Sequence, residues 1–472
     1  MDVECEKMQW LESINSSVSG VVWGIPTIVL LVGTGLYLSV RTGFIQIFEF
    51  RYMIRNTIGK MFQKHEAVKG AMTPFQAMTT ALAGTAGTGN IAGITYAVTL
   101  GGPGAIFWLW ISAIIGMCTK YAEVVLALRF RERNRYGDWV GGPMYYIKNG
   151  LGKNWKWLSV LFCIFGGLAA FGIGNAVQVG NITSSIGSAI EVFAPNAVQY
   201  QSTINLVIGI VIAIIAALVL LGGIKRLGRA TEVIVPFMAA AYLIGCLIVI
   251  FAHIGSIGTA FGQIFRDALS PTAALGGAAG VGIKTAITWG LKRGVFSHEA
   301  GLGSAPIAHA STSERDPVKQ GLFGIFEVFA DTIVICTITG LTLLMSGINL
   351  HYGTEGTTAL NIGAFATVFG PKVASVIISL STTLFALATV LGWSLYGTRC
   401  AEFLFGSRSI KIYQVIYILV IVVGATMDLG LAWGISDTLN GLMALPNIIA
   451  LAGLSGVVVK LTKEHFYNRQ LK

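Results

Sequence analysis

Three consecutive small or polar residues, Thr88, Gly89 and Asn90, lie in an apolar segment that glycines interrupt at short spacing. An interrupted helix leaves free N–H groups at the start of its second half and free C=O groups at the end of its first half. The N–H groups, at the positive end of the helix dipole, suit a carboxylate, whereas the C=O groups suit a cation. We therefore expect residues 88–90 and the carbonyls of residues 83–86 to bind a zwitterion and a cation. The alternative is that these glycines only allow close helix packing.

A second glycine-rich segment resembles the first. Residues 272–288 (TAALGGAAGVGIKTAIT) align without gaps on residues 79–95 (TTALAGTAGTGNIAGIT), and nine of the seventeen pairs are identical. Glycine-interrupted spans at corresponding positions in two halves of a membrane chain are the best sequence indication of a transporter binding site. We expect a second interrupted helix here, in which the glycines let the backbone approach a ligand closely.

Amide side chains recur at every third position of another apolar segment, as Asn175, Gln178 and Asn181. This spacing keeps them within a stripe about 120° wide on one helix. Polar groups inside a membrane are functional candidates, because each costs energy unless it has a partner. The amides line a transport pathway in one interpretation and join neighbouring helices in the other.

Hydroxyl groups are concentrated in a later segment, where a Ser-Thr-Thr run at residues 381–383 precedes Thr389 and Trp393. Thr389 and Trp393 are four residues apart and share one helix face. The Thr389 hydroxyl could complete the oxygen shell of a small cation, or it could bond to its own helix. The Trp393 indole would limit the size of a ligand side chain, or it would anchor the helix at the lipid interface.

Five charged residues lie inside apolar segments. Glu327 and Asp331 share one helix face, and Lys284 follows the second glycine-rich stretch at a similar depth. These three predict a buried ion pair or, in the functional interpretation, a proton relay. Lys120 and Glu123 predict a structural pair.

The composition identifies a membrane protein. Of the 472 residues, 54% are apolar and 11% are charged, and the mean hydropathy is +0.72, whereas a soluble domain has about 25% charged residues. About 20 apolar residues cross a bilayer as a helix. We predict eleven such spans, at residues 20–40, 75–98, 104–128, 157–189, 205–223, 233–254, 272–291, 321–346, 373–396, 412–427 and 439–459.

The positive charges predict the orientation of the chain in the membrane. If successive loops between spans lie on alternating sides of the membrane, 27 of the 32 Lys and Arg residues fall on one side. Cytoplasmic loops of membrane proteins carry such an excess of Lys and Arg. The N-terminus is therefore expected outside and the C-terminus in the cytoplasm, and the net charge of +10 does not indicate a nucleic-acid partner. Residues 44–61 mix apolar and basic side chains, which predicts an interfacial helix on the bilayer.

The two interrupted spans are the second and the seventh, so five spans separate them. Residues 75–254 and 272–459 would form two five-helix halves of opposite orientation, preceded by an extra helix at residues 20–40. We therefore predict an all-α membrane protein with an inverted repeat in a single domain over residues 1–472. The sequence has neither an HExxH nor a GxSxG motif, so we do not expect an enzyme.

Several motifs of the chain resemble those of the sodium:alanine symporter family, whose members transport alanine or glycine with a cation. Leu109 stands where the family pattern usually has Met, and His298 where Asn is commoner. The matching segments cover nearly the whole chain: GTGN at residues 87–90, GGPGAIFWLW at 101–110, GGPMY at 141–145, RGVFSHEAGLGSAPIAHA at 293–310 and LGWS at 391–394.

The resemblance implies a leucine-transporter-type fold and Na+-coupled uptake of alanine or glycine across the plasma (inner) membrane of a prokaryote. It implies a substrate site formed by Thr88, Gly89, Asn90, Asn175, Gln178, Gly276, Gly277, Gly280, Thr389 and Trp393. It implies a sodium site formed by the carbonyls of Ala83 and Ala86 with Ala386 and Thr389, so that Thr389 belongs to both sites.

The main alternative within transport is a proton-coupled carrier of small amino acids, in which Lys284, Glu327 and Asp331 titrate. The ion stoichiometry and the preference for D- or L-alanine stay open. We expect the lipid bilayer and the amino acid to be the only partners and the protein to function as a monomer.

Overall fold

The computed structural model describes residues 2–60, 70–269, 282–354, 356, 358–427 and 429–470. In these ranges the chain is helical apart from loops and one antiparallel hairpin of β1 (Glu132–Arg133) and β2 (Trp139–Val140). The helices are α1 (Asp2–Val22), α2 (Ile25–Arg41), α3 (Ile45–Phe48), α4 (Phe50–Asn56), α5 (Pro74–Thr85), α6 (Ala92–Gly101), α7 (Ala105–Arg129), α8 (Pro143–Tyr146), α9 (Lys156–Phe171), α10 (Val177–Phe193), α11 (Gln201–Leu220), α12 (Gly223–Ala252), α13 (Ile257–Leu269), α14 (Ile283–His298), α15 (Ala305–His309), α16 (Pro317–Val328), α17 (Thr337–Met345), α18 (Thr358–Phe405), α19 (Ser409–Thr426) and α20 (Leu429–Gln470).

Nine helical segments among the described residues are long and apolar enough to cross a membrane. Each of them overlaps one of the predicted spans. The two predicted spans without a counterpart are the second and the seventh, for which we expected interruptions. The second is divided into two shorter helices, whereas residues 272–281 of the seventh lie outside the described residues. The total of eleven spans, the boundaries of the two halves and their inverted relation stay predictions.

The second predicted span is divided into α5 and α6, as the glycine pattern predicted. The α5 helix begins at a capping box, in which the Thr73 hydroxyl accepts from the Gln76 N–H and the Gln76 side chain accepts from the Thr73 N–H, both at 3.1 Å. It ends at Thr85, and a single 3₁₀ turn, Thr88–Asn90, separates it from α6.

Two other spans contain local irregularities. A π-helical turn, Gly172–Ala176, joins α9 to α10, and another, Phe329–Cys336, joins α16 to α17. The long helix α18 bends at Gly370, which has a φ of 74° and is followed by Pro371. Such π-helical turns are frequent at functional sites.

A buried interruption also follows α14. We expected residues 292–319 to form a cytoplasmic loop, and this was wrong for the first two thirds of the segment. Lys292 and Arg293 belong to α14, and residues 299–304 form a turn buried in the protein core between α14 and the short helix α15. The turn needs Gly301 and Gly303, which have φ values of 94° and 84°.

The hairpin closes one end of the bundle, which we call the hairpin side. The Arg131 guanidinium donates to the carbonyls of Ala310, Thr312 and Glu314 at 3.1, 2.7 and 2.6 Å. The Trp139 N–H donates to the Gly70 carbonyl at 3.1 Å. These bonds join the hairpin to the segments that precede α5 and follow α15, so the two interrupted elements are held together on this side.

Candidate binding site at the helix interruptions

The interruption between α5 and α6 exposes both kinds of backbone group that the sequence predicted. Among the described residues, the N–H groups of Thr88 and Gly89 donate no hydrogen bond, and the carbonyls of Ala83 and Ala86 accept none. The Gly87 N–H, which would otherwise continue the helix, donates to Thr85 instead. The segment therefore offers donors for an anion and acceptors for a cation a few residues apart.

A small cavity adjoins the donor end of this interruption. Its volume is about 10 Å³, which is enough for about one water molecule. The Thr88 hydroxyl donates to the Gln178 amide oxygen at 3.1 Å. The structure thus brings three of the predicted substrate residues together in a wall formed by Thr88, Gly89, Gly93, Tyr96, Val177, Gln178, Arg293 and Phe296.

Asn90 is directed away from this cavity. Its side-chain oxygen accepts from the Gly87 N–H at 3.0 Å, and its nitrogen donates to Asp331 at 2.7 Å. The Asp331 carboxylate also accepts from Ser297 at 2.6 Å and from Thr332 at 2.8 Å. Asn90 therefore fixes the shape of the interruption and connects it to α14 and to the π-helical turn after α16.

Asn175 is also separated from the cavity. It lies in the π-helical turn before α10, and its nitrogen donates to the Tyr417 carbonyl at 2.7 Å. Asn181 contacts the site instead, because it donates to the Thr88 hydroxyl at 3.3 Å. For Asn175 the structure matches the interpretation in which an amide joins neighbouring helices.

Thr389 lies beside the interruption. A Cβ atom built on Gly87 would lie 2.5 Å from the Thr389 hydroxyl oxygen, and that hydroxyl donates to the Phe385 carbonyl of its own helix at 3.1 Å. Ala83, Ala86 and Ala386 are fully buried. The predicted sodium residues therefore come from α5 and α18, and these two helices meet here.

The donor set at this point suits Na+. It consists of oxygen atoms, which hard cations prefer. One turn from Ala386, the buried Thr382 hydroxyl has no hydrogen-bond partner among the described residues. The sequence analysis named Thr382 only as part of the run at residues 381–383 and did not predict it as a sodium ligand. The Thr382 hydroxyl and the carbonyls of Ala83 and Ala86 are thus oxygen atoms without a partner among the described residues, and they could hold a cation.

Trp393 lies in the protein core. It is 1% exposed, so an anchor in the lipid interface, one of the two expected roles, is wrong. Its indole N–H donates to the Gly84 carbonyl at 3.3 Å and to Glu299 at 3.1 Å. Trp393 therefore connects α5 to the turn after α14, and it does not line the cavity, so its effect on substrate size stays a prediction.

The turn at residues 299–304 is held by a buried carboxylate. Glu123 accepts from the N–H groups of Gly301 and Gly303 at 3.0 and 3.1 Å and from the Asn447 side chain at 2.6 Å. Ser304 donates to Glu299 across the turn. Gly276, Gly277 and Gly280, the predicted second interruption, lie outside the described residues.

The buried charges pair differently from the prediction. Lys120 pairs with Glu327 at 3.3 Å and not with Glu123, and His309 donates to Glu327 at 2.9 Å. Lys284 is exposed on the first turn of α14. The expected pairing of Lys284 with a carboxylate of α16 is therefore wrong, because this lysine lies at the surface and the buried ammonium of Lys120 takes that place.

Five cavity residues were absent from the predicted site: Gly93, Tyr96, Val177, Arg293 and Phe296. Two of them, Arg293 and Phe296, lie in the last part of α14, which the sequence placed in a loop. A signal existed for Arg293 and Phe296, because both lie in the segment at residues 293–310 that resembles the family motif. Its charged residues nevertheless favoured a loop.

The chain belongs to the sodium:alanine symporter family, whose sequence profile matches residues 8–472. It is 45% identical over 453 residues to the sodium/alanine symporter AgcS of Methanococcus maripaludis, covering 96% of each chain. It is 35% identical over 448 residues to the amino-acid carrier protein AlsT of Bacillus subtilis, covering 93% of this chain and 89% of that one.

The fold is similar to that of MhsT, whose crystal structure was solved in complex with L-phenylalanine. The TM-score is 0.55 at 12% sequence identity, covering 84% of this chain and 99% of that chain. Family and fold together identify a multi-pass membrane transporter, as the sequence predicted.

Proposed function

We propose that this member of the sodium:alanine symporter family carries alanine or glycine into the cell together with Na+, by alternating access. The observation that carries the proposal is the interruption between α5 and α6, where the N–H groups of Thr88 and Gly89 and the carbonyls of Ala83 and Ala86 have no hydrogen-bond partner in the part of the chain that the structure describes. The name of the relative AgcS, a sodium/alanine symporter, supports the same substrate and ion.

The amino acid would bind with its carboxylate against the N–H groups of Thr88 and Gly89. Without such donors an anion in a low-dielectric site is prohibitively costly. The Gln178 amide oxygen, which already accepts from Thr88, would accept from the α-ammonium group. The rings of Tyr96 and Phe296 border the cavity, so only a small side chain would fit beside them.

Sodium would be held by the carbonyls of Ala83 and Ala86 and by the Thr389 hydroxyl, with the backbone of Ala386 completing the site. These groups come from two helices that separate if one part of the bundle rocks against another. Binding of Na+ would therefore stabilise the arrangement of α5 against α18 that shapes the cavity.

The hairpin side would face the cytoplasm. The Lys and Arg excess, which we predicted for cytoplasmic loops, includes Arg131 and its neighbours in the hairpin. The N-terminus would then lie outside, in the plasma membrane of a prokaryote, and the protein would function as a monomer. The bonds of Arg131 to residues 310–314 would form the closed cytoplasmic side.

Uptake into proteoliposomes tests the proposal. Purified protein would be exposed to radiolabelled alanine, glycine, valine, leucine and glutamine under an imposed Na+ gradient, an imposed H+ gradient or neither. Accumulation of alanine or glycine only with the Na+ gradient supports the proposal. Accumulation with the H+ gradient alone would instead support a proton-coupled carrier, and uptake of only the larger amino acids would overturn the substrate assignment.

A further inference from the structure

One charged residue borders the cavity. Of the eight residues in its wall, Arg293 alone carries a charge, and the others are neutral or apolar. An arginine side chain keeps its positive charge in any protein environment. This guanidinium lies at the same cavity as the positive helix end at Thr88 and Gly89, and Asp437 also interacts electrostatically with it.

Three aromatic rings surround the Arg293 side chain. Its guanidinium carbon lies 5.2 Å from the ring centre of Tyr96, 5.4 Å from that of Trp289 and 5.6 Å from that of Phe296. Rings at this distance attract a cation and help to fix its position. Two of these rings, those of Tyr96 and Phe296, also border the cavity.

Arg293 lies between the surface and the closed part of the site. The α14 helix begins near the exposed Lys284 and ends at the buried His298, and Arg293 is half-buried between them. Thr88, which also borders the cavity, is only 3% exposed. A ligand that approached from the exposed end of α14 would therefore meet Arg293 before the N–H groups of the interruption.

We propose that Arg293 binds the carboxylate of the amino acid at the mouth of the cavity and directs it towards the N–H groups of Thr88 and Gly89. A guanidinium bonds a carboxylate through two parallel hydrogen bonds, which orients the ligand as well as attracting it. The inference rests on the proposed function, because it assumes that the cavity takes an amino acid.

The neighbouring lysine provides a contrast on the same helix. Lys292 pairs with Asp437 at 3.8 Å and lies near the rings of Trp23 and Trp289. It does not border the cavity. A Lys292→Gln variant therefore removes one positive charge from α14 without removing a cavity residue.

The test compares a ligand that has a carboxylate with one that lacks it. Alanine and alaninamide would each compete with radiolabelled alanine for uptake, in the wild-type protein and in Arg293→Gln, Arg293→Lys and Lys292→Gln. We expect Arg293→Gln to weaken competition by alanine at least tenfold and competition by alaninamide at most twofold. Arg293→Lys should weaken competition by alanine severalfold, because the charge stays but the paired hydrogen bonds are lost. Lys292→Gln should leave the ratio between the two ligands unchanged.

A purely structural role of Arg293 gives a different result. If the guanidinium only packs α14 against α6, both ligands weaken equally, and this outcome overturns the inference. Thermal stabilisation of the detergent-purified variants by the same two ligands gives the ratio independently of transport. If the wild-type protein takes up neither alanine nor glycine, the proposed function fails. The test of Arg293 then uses the amino acid that raises the melting temperature most, together with its amide, in place of alanine and alaninamide. If no amino acid stabilises the protein, the inference about Arg293 fails as well.

Discussion

Replacing Lys120 by Met should destabilise the protein far more than replacing an exposed lysine. The Lys120 ammonium lies 3.3 Å from Glu327, and both side chains are at most 1% exposed. Without the lysine, the Glu327 carboxylate keeps only its hydrogen bonds from His309 at 2.9 Å and from Thr85 at 3.4 Å. Removing one partner of a buried ion pair costs about 3–5 kcal/mol, because the other charge stays buried.

The magnitude can be expressed as a melting temperature. With an unfolding entropy of about 2.1 cal/mol/K per residue, a chain of this length has about 1 kcal/mol/K, so the expected loss is about 3–5 °C. The midpoint would be measured in detergent at one fixed heating rate, because unfolding of such a protein is often irreversible. The matched control is Lys148→Met, which breaks a half-exposed pair with Glu132 at 2.9 Å and should cost at most about 1 kcal/mol.

A double variant separates the charge from the packing. In Lys120→Met with Glu327→Gln both charges of this ion pair are removed together, and the glutamine oxygen still accepts from His309. Its melting temperature should therefore lie well above the value expected if the two single losses were additive. Additive losses, or a Lys120→Met variant no less stable than the Lys148→Met control, would refute the buried-pair explanation.

Three further variants test other contacts. Thr389→Val should raise the Na+ concentration needed for half-maximal uptake, whereas Thr383→Val, which loses only a bond to the Ser379 carbonyl at 2.7 Å, should not. Gly87→Ala should abolish Na+-dependent uptake because its Cβ would lie 2.5 Å from the Thr389 hydroxyl oxygen. The control is Gly33→Ala in α2, outside the site, where no atom lies within 4 Å of the added Cβ, so this variant should transport normally; equal activity of the two alanine variants would contradict this. Burial raises the pKa of Asp316, but hydrogen bonds from His465 and from the N–H groups of α16 outweigh burial and lower that pKa overall. The wild-type protein should therefore be more stable than Asp316→Asn in thermal unfolding. This difference should be complete above the ordinary pKa of an aspartate and should disappear as the pH falls through the lowered pKa.

The first interruption was predictable because it depends on local composition. Glycines between residues 84 and 93 cannot support a continuous helix without cost, and the structure divides the span there. The turn at residues 299–304 was not predictable in the same way. The N–H groups of Gly301 and Gly303 donate to Glu123, which is more than 170 residues away in the sequence. Because such a distant partner cannot be read from the sequence, the polar residues of this turn indicated a surface loop.

The amide stripe shows a second limit of sequence reasoning. The spacing of Asn175, Gln178 and Asn181 places them on one face only if the helix has 3.6 residues per turn throughout. The π-helical turn at Gly172–Ala176 is wider, and it directs Asn175 towards Tyr417 while Gln178 and Asn181 contact Thr88. An irregularity in one turn thus divided a set of residues that the sequence had grouped.

The proposed coupling between ion and substrate follows from the shortness of the interruption. The Thr389 hydroxyl packs against Gly87, and the donor groups for the carboxylate begin at the next residue. Ordering the carbonyls of Ala83 and Ala86 around a cation therefore also orders the N–H groups that bind the amino acid. Because coupling between two ligands is reciprocal, bound alanine should increase the affinity for Na+ by the same factor by which Na+ increases the affinity for alanine.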